Sequence, residues 1–153
     1  MVVEEVGIAA MGYVFEHQVR FHETDGAGVV YFANELMMCH AAYEASLEAA
    51  GLDLGAFFRA EALAYPIVHT SMDYRRPLRC GDRITIHLAP TRLDDSSFEI
   101  QYQLTLEATA VAQAVTRHVC IEVASRRRSP LPTEMEQWLV QWSDRSPQLR
   151  EGQ

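Results

Sequence analysis

Regular alternation of apolar and polar residues predicts most of the strands in this chain. In Phe98 to Leu106 every second residue is apolar and its neighbours are polar, which is the pattern of a strand buried on one face. Tyr13 to Phe21 shows the same period of two and predicts a first strand. Three further segments between turn signals are predicted to be strands: Ile67 to Tyr74, Arg83 to Leu88 and Val111 to Val123.

A longer spacing predicts one main helix after the first strand. Asn34 to Ala50 is rich in Ala, Leu, Met and Glu, and Gly51 is a natural C-terminal cap. Four residues recur at helical spacing and predict one face: Leu36, His40, Tyr43 and Leu47. Because small residues along this helix allow close approach to a sheet, we expect a central, buried helix. Shorter helical stretches are predicted at Leu54 to Ala60 and at Glu134 to Trp142.

The order of these elements predicts the fold class. One strand, one long helix and a run of antiparallel strands form an α+β layout in which one sheet covers one helix. The 153 residues are 48% hydrophobic and carry no repeat, low-complexity tract or linker. We therefore expect a single domain over 1–153, with a core at about 13–124 followed by a short C-terminal helix and a tail. The uncovered sheet edge predicts a homodimer or homotetramer, since pairing edge strands protects them.

Composition narrows the choice of partner and compartment. A formal net charge of −8 disfavours nucleic acid as a partner, because phosphate contacts need a concentrated basic face. Cys39, Cys80 and Cys120 are odd in number and form neither a CxxC pair nor a metal-ligand spacing with His. This predicts reduced thiols in a cytoplasmic protein without a metal. With no basic leader and no apolar run near about 18 residues, we expect neither a signal peptide nor a membrane span.

The candidate chemistry lies where the first strand joins the helix. Gly26 and Gly28 let the backbone turn sharply there. The helix start presents unpaired N–H groups with partial positive charge, which can hold a developing oxyanion. Asp25 lies beside this turn, and two roles fit it: a nucleophile or general base that acts on a carbonyl, or a turn carboxylate that bonds to the backbone. The residues by themselves favour the turn role.

The same segment resembles a known enzyme family. An Asp, a Gly, two aliphatic residues and an aromatic pair lead into the helix: Asp25, Gly28, Val29, Val30, Tyr31 and Phe32. This order resembles the 4-hydroxybenzoyl-CoA thioesterases of the hotdog superfamily, and so do Pro77, Gly81 and Asp82 between two later strands. The resemblance spans about Tyr13 to Val123 and implies a hotdog fold, a curved antiparallel sheet wrapped around one long central helix. One departure is Gly26, where many members carry Pro or Ala.

The resemblance implies roles for several residues. Asp25 takes the family's catalytic position, as nucleophile or as base for water, and the backbone N–H of Phe32 takes the oxyanion position. No Ser-His-Asp triad is needed, because a thioester carbonyl has little resonance stabilisation and a good leaving group. The partner is a small-molecule acyl-CoA, and no cofactor is implied beyond the coenzyme A of substrate and product. The expected substrate-binding residues, which also suit plain core or locally bonded positions, are Gly28, Tyr31, His40, Tyr43 and His69.

Four longer sequence segments narrow the resemblance to one branch of that family. TDGAGVVYF, MCHAAYE, PIVHTSMDYRRPLRCGD and RHVCI are most similar to the hydrolases of 1,4-dihydroxy-2-naphthoyl-CoA in the phylloquinone (vitamin K1) biosynthesis of photosynthetic bacteria. The resemblance thus implies an acyl-CoA hydrolase with that aromatic substrate. Three alternatives stay open: a broad acyl-CoA thioesterase for other aromatic or short aliphatic acyl groups, a non-catalytic acyl-CoA-binding module, and a hotdog hydratase, although Asp25 has no His five residues further on.

Basic residues cluster in two places. One cluster follows the last predicted strand and is the candidate for binding the phosphates of coenzyme A, since a guanidinium suits bidentate contact: Arg126, Arg127 and Arg128. The other cluster lies before the Gly-Asp turn: Arg75, Arg76 and Arg79. Solvated surface is the alternative for both clusters. Glu23, close to Asp25, is expected to be solvated as well.

Overall fold

The computed structural model describes residues 12–143, and its elements follow the predicted order. The strands of this part are β1 (Tyr13–Gln18), β2 (Leu63–Ala64), β3 (Ile67–Tyr74), β4 (Arg83–Asp94), β5 (Ser97–Leu106), β6 (Thr109–Val119) and β7 (Ile121–Glu122). The α-helices are α1 (Phe32–Ala49), α2 (Leu54–Arg59) and α3 (Thr133–Trp142), and a 3₁₀ turn, Phe21–Glu23, follows β1. The predicted C-terminal tail, from residue 144 onward, lies outside the described residues.

Five strands form one curved sheet in the order β1-β4-β5-β6-β3, with every neighbouring pair antiparallel. The predicted α+β layout is therefore confirmed. Alternation in β5 buries four side chains against the helices: Phe98, Ile100, Tyr102 and Leu104. β1 and β3 are the two edges of this sheet, and β2 pairs with β7 in a separate short ladder.

The largest differences between the predicted and observed strands are at the ends of β1, β4 and β6. β4 runs to Asp94 rather than Leu88, and the predicted last strand is interrupted at Cys120 between β6 and β7. The prediction that Phe21 belongs to the first strand is wrong, because β1 ends at Gln18 and Phe21 is 82% exposed. The chain turns there, since the N–H of Glu23 donates to the Arg20 carbonyl at 3.0 Å.

α1 begins two residues earlier than predicted and ends where expected. The N–H of Gly51 donates to the Glu48 carbonyl at 2.9 Å and that of Leu52 to Leu47 at 3.1 Å, and Gly51 has a φ of 90°, which together form a Schellman cap. One stripe of the helix is buried: Glu35, Met38, Cys39, Ala42, Tyr43, Ser46 and Leu47. Within one chain the sheet covers this stripe only, and the opposite face carries Met37, 67% exposed.

α3 closes the core against α1. The Trp138 ring is fully buried, and its Nε1–H donates to the Ser46 hydroxyl at 3.0 Å. Trp142 donates to the Ser46 carbonyl at 3.1 Å. His118 stacks on Phe98 with ring centroids 4.7 Å apart, so it serves as a core aromatic residue. In the part of the chain from 12 to 143, no helix combines the length and the apolar character needed to cross a membrane.

Candidate active site

Asp25 heads a tight turn directly after the 3₁₀ turn. Its carboxylate Oδ1 accepts a hydrogen bond from the Ala27 N–H at 2.8 Å, and its backbone C=O accepts one from the Gly28 N–H at 3.0 Å. The Asp25 N–H donates to the Val29 carbonyl at 2.9 Å. Asp25 is exposed, and its Oδ2 accepts no hydrogen bond from the residues that the structure describes. One carboxylate oxygen therefore holds the turn, while the other has no hydrogen-bond partner in the described part of the chain.

The two glycines of this turn differ. Gly28 has a φ of 78°, a left-handed conformation that favours glycine. Gly26 lies outside that region, and a Cβ added there would meet nothing within 4 Å. The departure from the family pattern at Gly26 therefore removes no contact in this chain.

The first turn of α1 supplies the second part of the site. Among the described residues, the Phe32 N–H donates to no carbonyl or side chain, as expected for the first residue of a helix. Its own carbonyl accepts from the Tyr74 hydroxyl at 2.8 Å, which ties the helix start to the end of β3. Thr24 and Val30 pair as an isolated antiparallel bridge, so the Asp25 turn and the helix start are held together at the base of one short loop.

Glu23 links the turn to the helix start, and the expectation that it is solvated is wrong. Glu23 is only 9% exposed. Its side-chain Oε1 accepts a hydrogen bond from the Arg20 N–H at 2.7 Å and lies 2.9 Å from His17 Nε2. Its backbone carbonyl accepts from the Tyr31 N–H at 3.0 Å and from the Asn34 side chain at 2.8 Å. Glu23 is buried because the 3₁₀ turn folds it back towards the end of β1. The alternation of apolar and polar residues along the chain does not predict this burial.

A pocket of about 310 Å³ opens beside the first turn of α1. Apolar side chains form most of its wall, together with two exposed arginines: Val30, Phe32, Tyr74, Arg75, Arg76, Pro77 and Leu78. Glu35 also lines it, is only 5% exposed, and leaves its Oε1 without a hydrogen-bond partner among the described residues. Burial raises the pKa of Glu35 from 4.5 to about 7. Glu35 was not predicted as a site residue, because it lies one position before Leu36, the first residue of the predicted helical face.

A larger recess, about 770 Å³, lies on the outer face of the sheet. Polar and small residues of β3 to β6 line it, including Ser71, His87 and Gln101. No residue of the Asp25 turn or of α1 contributes to it. Although it is larger, it lacks the grouping of a free N–H, a carboxylate and an aromatic wall that the helix start provides.

The structure brings together only part of the predicted substrate-binding set. Tyr31 is the N-cap of α1, 47% exposed, with its ring 4.8 Å from that of Phe32. His40 is half-buried further along α1, 5.9 Å from the Phe58 ring. Tyr43 is 1% exposed inside the aromatic core, so the core alternative fits it. His69 is exposed on the edge strand β3 and pairs with Arg117 on the outer side of the sheet, away from the helix start.

The predicted phosphate-binding arginines lie far from Asp25 within one chain. Arg128 Nη1 is 3.4 Å from Asp94 Oδ2, and Asp94 is the last residue of β4. The other end of β4 is the one near the Asp25 turn: the backbone carbonyl of Asp82, just before β4, accepts from the N–H of Val19, which follows β1. The 12 residues of β4 span roughly 35 Å at a rise of about 3.3 Å each. Arg126 and Arg127 are exposed in the same distant loop.

The second basic cluster, Arg75, Arg76 and Arg79, lies near the Asp25 turn and the start of α1. A Cβ on Gly28 would meet Arg79 Nη1 at 3.9 Å, so the Arg79 side chain reaches the Asp25 turn. Arg75 and Arg76 line the pocket beside α1. The sequence showed both clusters, but only the sheet topology shows which one faces the turn within a chain.

These groups can hold and attack an ester-like carbonyl. A free helix N–H stabilises negative charge on a carbonyl oxygen, and an exposed carboxylate serves as nucleophile or base. In the described part of the chain, no group of three or more His, Cys, Asp or Glu side chains is arranged to hold a metal ion. The Asp25 carboxylate and the Phe32 N–H fit acyl transfer by a carboxylate and a backbone donor.

Known proteins are similar to this chain over most of its length. The family described as the thioesterase-like superfamily matches residues 19–139. A 1,4-dihydroxy-2-naphthoyl-CoA hydrolase of Nostoc punctiforme is 49% identical over 129 residues, covering 84% of this chain and 87% of the relative. One from Gloeothece citriformis is 51% identical over 130 residues, covering 83% and 91%.

A solved structure is similar over the same region. The crystal structure of a 1,4-dihydroxy-2-naphthoyl-CoA thioesterase from Synechocystis superposes with a TM-score of 0.81 at 38% sequence identity. The match covers 84% of this chain and 95% of the other.

Proposed function

This chain belongs to the thioesterase-like superfamily, and we propose that it hydrolyses 1,4-dihydroxy-2-naphthoyl-CoA to the free acid and coenzyme A. Its fold is the hotdog fold that the sequence resemblance implied. The enzyme class is that of acyl-CoA thioester hydrolases. The observation that carries the substrate is the identity of about one half to relatives with this activity, over more than four fifths of the chain.

In the proposed mechanism Asp25 and the Phe32 N–H act on opposite sides of one carbonyl. The carbonyl oxygen gains negative charge, which the Phe32 N–H and the α1 dipole stabilise. The Asp25 carboxylate either attacks the carbonyl carbon, expelling the coenzyme A thiolate and forming an anhydride that water hydrolyses, or takes a proton from the water that attacks. The exposure of Asp25 supports this role, because Oδ1 is held by the Ala27 N–H and Oδ2 accepts no hydrogen bond within residues 12–143.

The test is Asp25→Asn, a near-isosteric change that removes the charge and keeps the acceptor for Ala27. We expect kcat to fall by about 10²- to 10⁴-fold, the range that a positioned acid or base contributes, while the Kd for the free naphthoate product stays within a few-fold. Asp53→Asn is the matched control, since Asp53 is also an exposed carboxylate that accepts a backbone N–H, at 2.7 Å from Ala56. Unchanged turnover in Asp25→Asn would remove Asp25 from the chemistry.

The substrate is tested with a panel of naphthoyl-, benzoyl- and short aliphatic CoA esters. We expect the highest kcat/KM for the hydroxylated naphthoyl ester, because the pocket beside α1 has aromatic walls. Equal or better turnover of aliphatic esters would instead support the broad thioesterase. Binding of the esters with no hydrolysis at all would support the non-catalytic module.

We further propose a cytoplasmic homodimer or homotetramer that needs no cofactor and acts in phylloquinone biosynthesis. The edge strand β3 supports association, because all but one of its residues are exposed and its free backbone groups can pair with a second copy. Ile67 and Val68 on it are 45% and 62% exposed. Light scattering is expected to give a multiple of the 17.3 kDa chain mass, and a monomer at micromolar concentration would contradict the proposal.

A further inference from the structure

Glu35 is a buried carboxyl group at the site whose chemistry the proposed mechanism does not use. It lies one turn into α1, three residues after Phe32, and it lines the same pocket as the Phe32 ring. Its residue is 5% exposed, and its Oε1 has no hydrogen-bond partner among residues 12–143. Burying a carboxyl oxygen without a hydrogen-bond partner costs free energy of folding. A ligand group that forms a hydrogen bond with Oε1 would offset that cost.

The pocket around Glu35 has the chemistry of an aromatic site. Val30, Pro77 and Leu78 give it apolar walls, and the rings of Phe32 and Tyr74 meet edge to face at 6.4 Å. It is an open recess of about 310 Å³, and it pairs apolar walls with a few polar groups as small-ligand sites do.

Two further facts indicate what Glu35 can bind. Arg75 and Arg76 are exposed on the pocket wall, and no ion pair joins either of them to Glu35 in the described residues. Burial raises the pKa of Glu35 to about 7. The carboxyl therefore either accepts from a hydroxyl when ionised, or donates to and accepts from it when protonated.

Resting on the proposed function, we propose that Glu35 selects the substrate by hydrogen bonding a hydroxyl group on the aromatic ring of the acyl chain. The ring lies against the apolar wall, and the hydroxyl meets the free Oε1. A polar group in an apolar pocket discriminates against an analogue that lacks its partner. Glu35 is thus a specificity-determining residue rather than part of the acyl-transfer chemistry.

The test compares three esters that differ only in ring hydroxyls: 1-hydroxy-2-naphthoyl-CoA, 4-hydroxy-2-naphthoyl-CoA and 2-naphthoyl-CoA. We expect the wild-type enzyme to prefer one hydroxylated ester over the unsubstituted ester by about 10- to 100-fold in kcat/KM, the range for one buried hydrogen bond. Glu35→Leu is expected to abolish that preference and leave 2-naphthoyl-CoA turnover within a few-fold. Glu35→Gln, which still donates and accepts, is expected to retain part of the preference. Glu48→Leu, an exposed position on the same helix, is the matched control.

Binding measurements separate this proposal from the proposed function. Calorimetry with 1-hydroxy-2-naphthoate, 4-hydroxy-2-naphthoate and 2-naphthoate is expected to show the same preference in wild type and its loss in Glu35→Leu. A wild-type protein that hydrolyses no naphthoyl ester but shows this preference would overturn the proposed function alone. An equal fall for all three esters in Glu35→Leu would make Glu35 a structural residue, and an unchanged preference would place the hydroxyl elsewhere. Either result would overturn the proposal.

Discussion

Replacing Glu23 by Ala removes the side chain that joins the end of β1 to the site. The Arg20 N–H loses its acceptor in a partly buried hydrogen bond of 2.7 Å, and His17 loses its partner at 2.9 Å. Hydrogen bonds to a charged group contribute about 1.5–3 kcal/mol each. Because His17 is partly exposed, we expect a total loss of about 3 kcal/mol in the free energy of unfolding. For a chain of this length that lowers Tm by about 6–12 °C.

The same change is expected to lower kcat, because the Glu23 backbone carbonyl accepts hydrogen bonds from Tyr31 and Asn34 at the start of α1. A turn that is no longer held shifts Asp25 relative to the Phe32 N–H, and small misplacements of reacting groups cost about 10²-fold. Urea denaturation gives the stability, and kcat is measured at 25 °C, far below Tm, with saturating substrate.

Two variants complete the Glu23 experiment. Glu23→Gln keeps an acceptor for the Arg20 N–H, so its loss of stability is expected to be smaller than that of Glu23→Ala. Glu48→Ala changes an exposed glutamate and should stay within about 0.5 kcal/mol of wild type. If Glu23→Ala were as stable as Glu48→Ala, the buried contacts of Glu23 would contribute nothing. A large loss of stability with unchanged kcat would break the link between Glu23 and the site.

Two further predictions concern the core. Ser46→Ala leaves the buried Trp138 Nε1–H without its acceptor and should lower stability by about 1–3 kcal/mol, measured as a lower urea midpoint at unchanged m; an unchanged midpoint would contradict it. In His118→Phe an aromatic ring can still stack on Phe98. Burial lowers the pKa of His118 from 6.5 to about 4. The free energy of unfolding of the wild type should therefore fall by up to about 3 kcal/mol as pH falls from about 6.5 towards 4, and that of the variant should fall by less. Equal losses in both proteins would refute this assignment.

Much of the fold could be predicted because its elements have regular periods. The alternation of β5 reports which side of that strand is buried. The spacing of α1 predicts the helix but only part of its buried face, because Tyr43 and Leu47 are buried whereas Leu36 and His40 are half-buried. Errors fall where the chain leaves those periods. Phe21 continues the alternation of β1 in sequence, but the 3₁₀ turn carries it out to solvent. Local hydrogen bonding decided that boundary, and a period of two does not encode it.

The site was predictable only as far as it is local in sequence. Asp25, Gly28 and Phe32 lie within one short loop, so a motif identifies them together. Glu35 and Arg79 reach the same region by packing and by the return of the chain between β3 and β4. The placement of Arg126 to Arg128 at the far end of β4 follows from the strand order, which no spacing along the chain reveals.

Two carboxyl groups flank the start of α1, and their surroundings give them different tasks. Asp25 is exposed, with one oxygen held by a backbone N–H and the other free, which suits a group that must meet a carbonyl and water. Glu35 is buried on an apolar wall without a partner, which suits a group that recognises a ring hydroxyl and stays out of the acyl transfer. Environments that separate two acids in this way assign their roles. If this division holds, Asp25→Asn lowers the turnover of every ester by a similar factor, whereas Glu35→Leu changes their ranking.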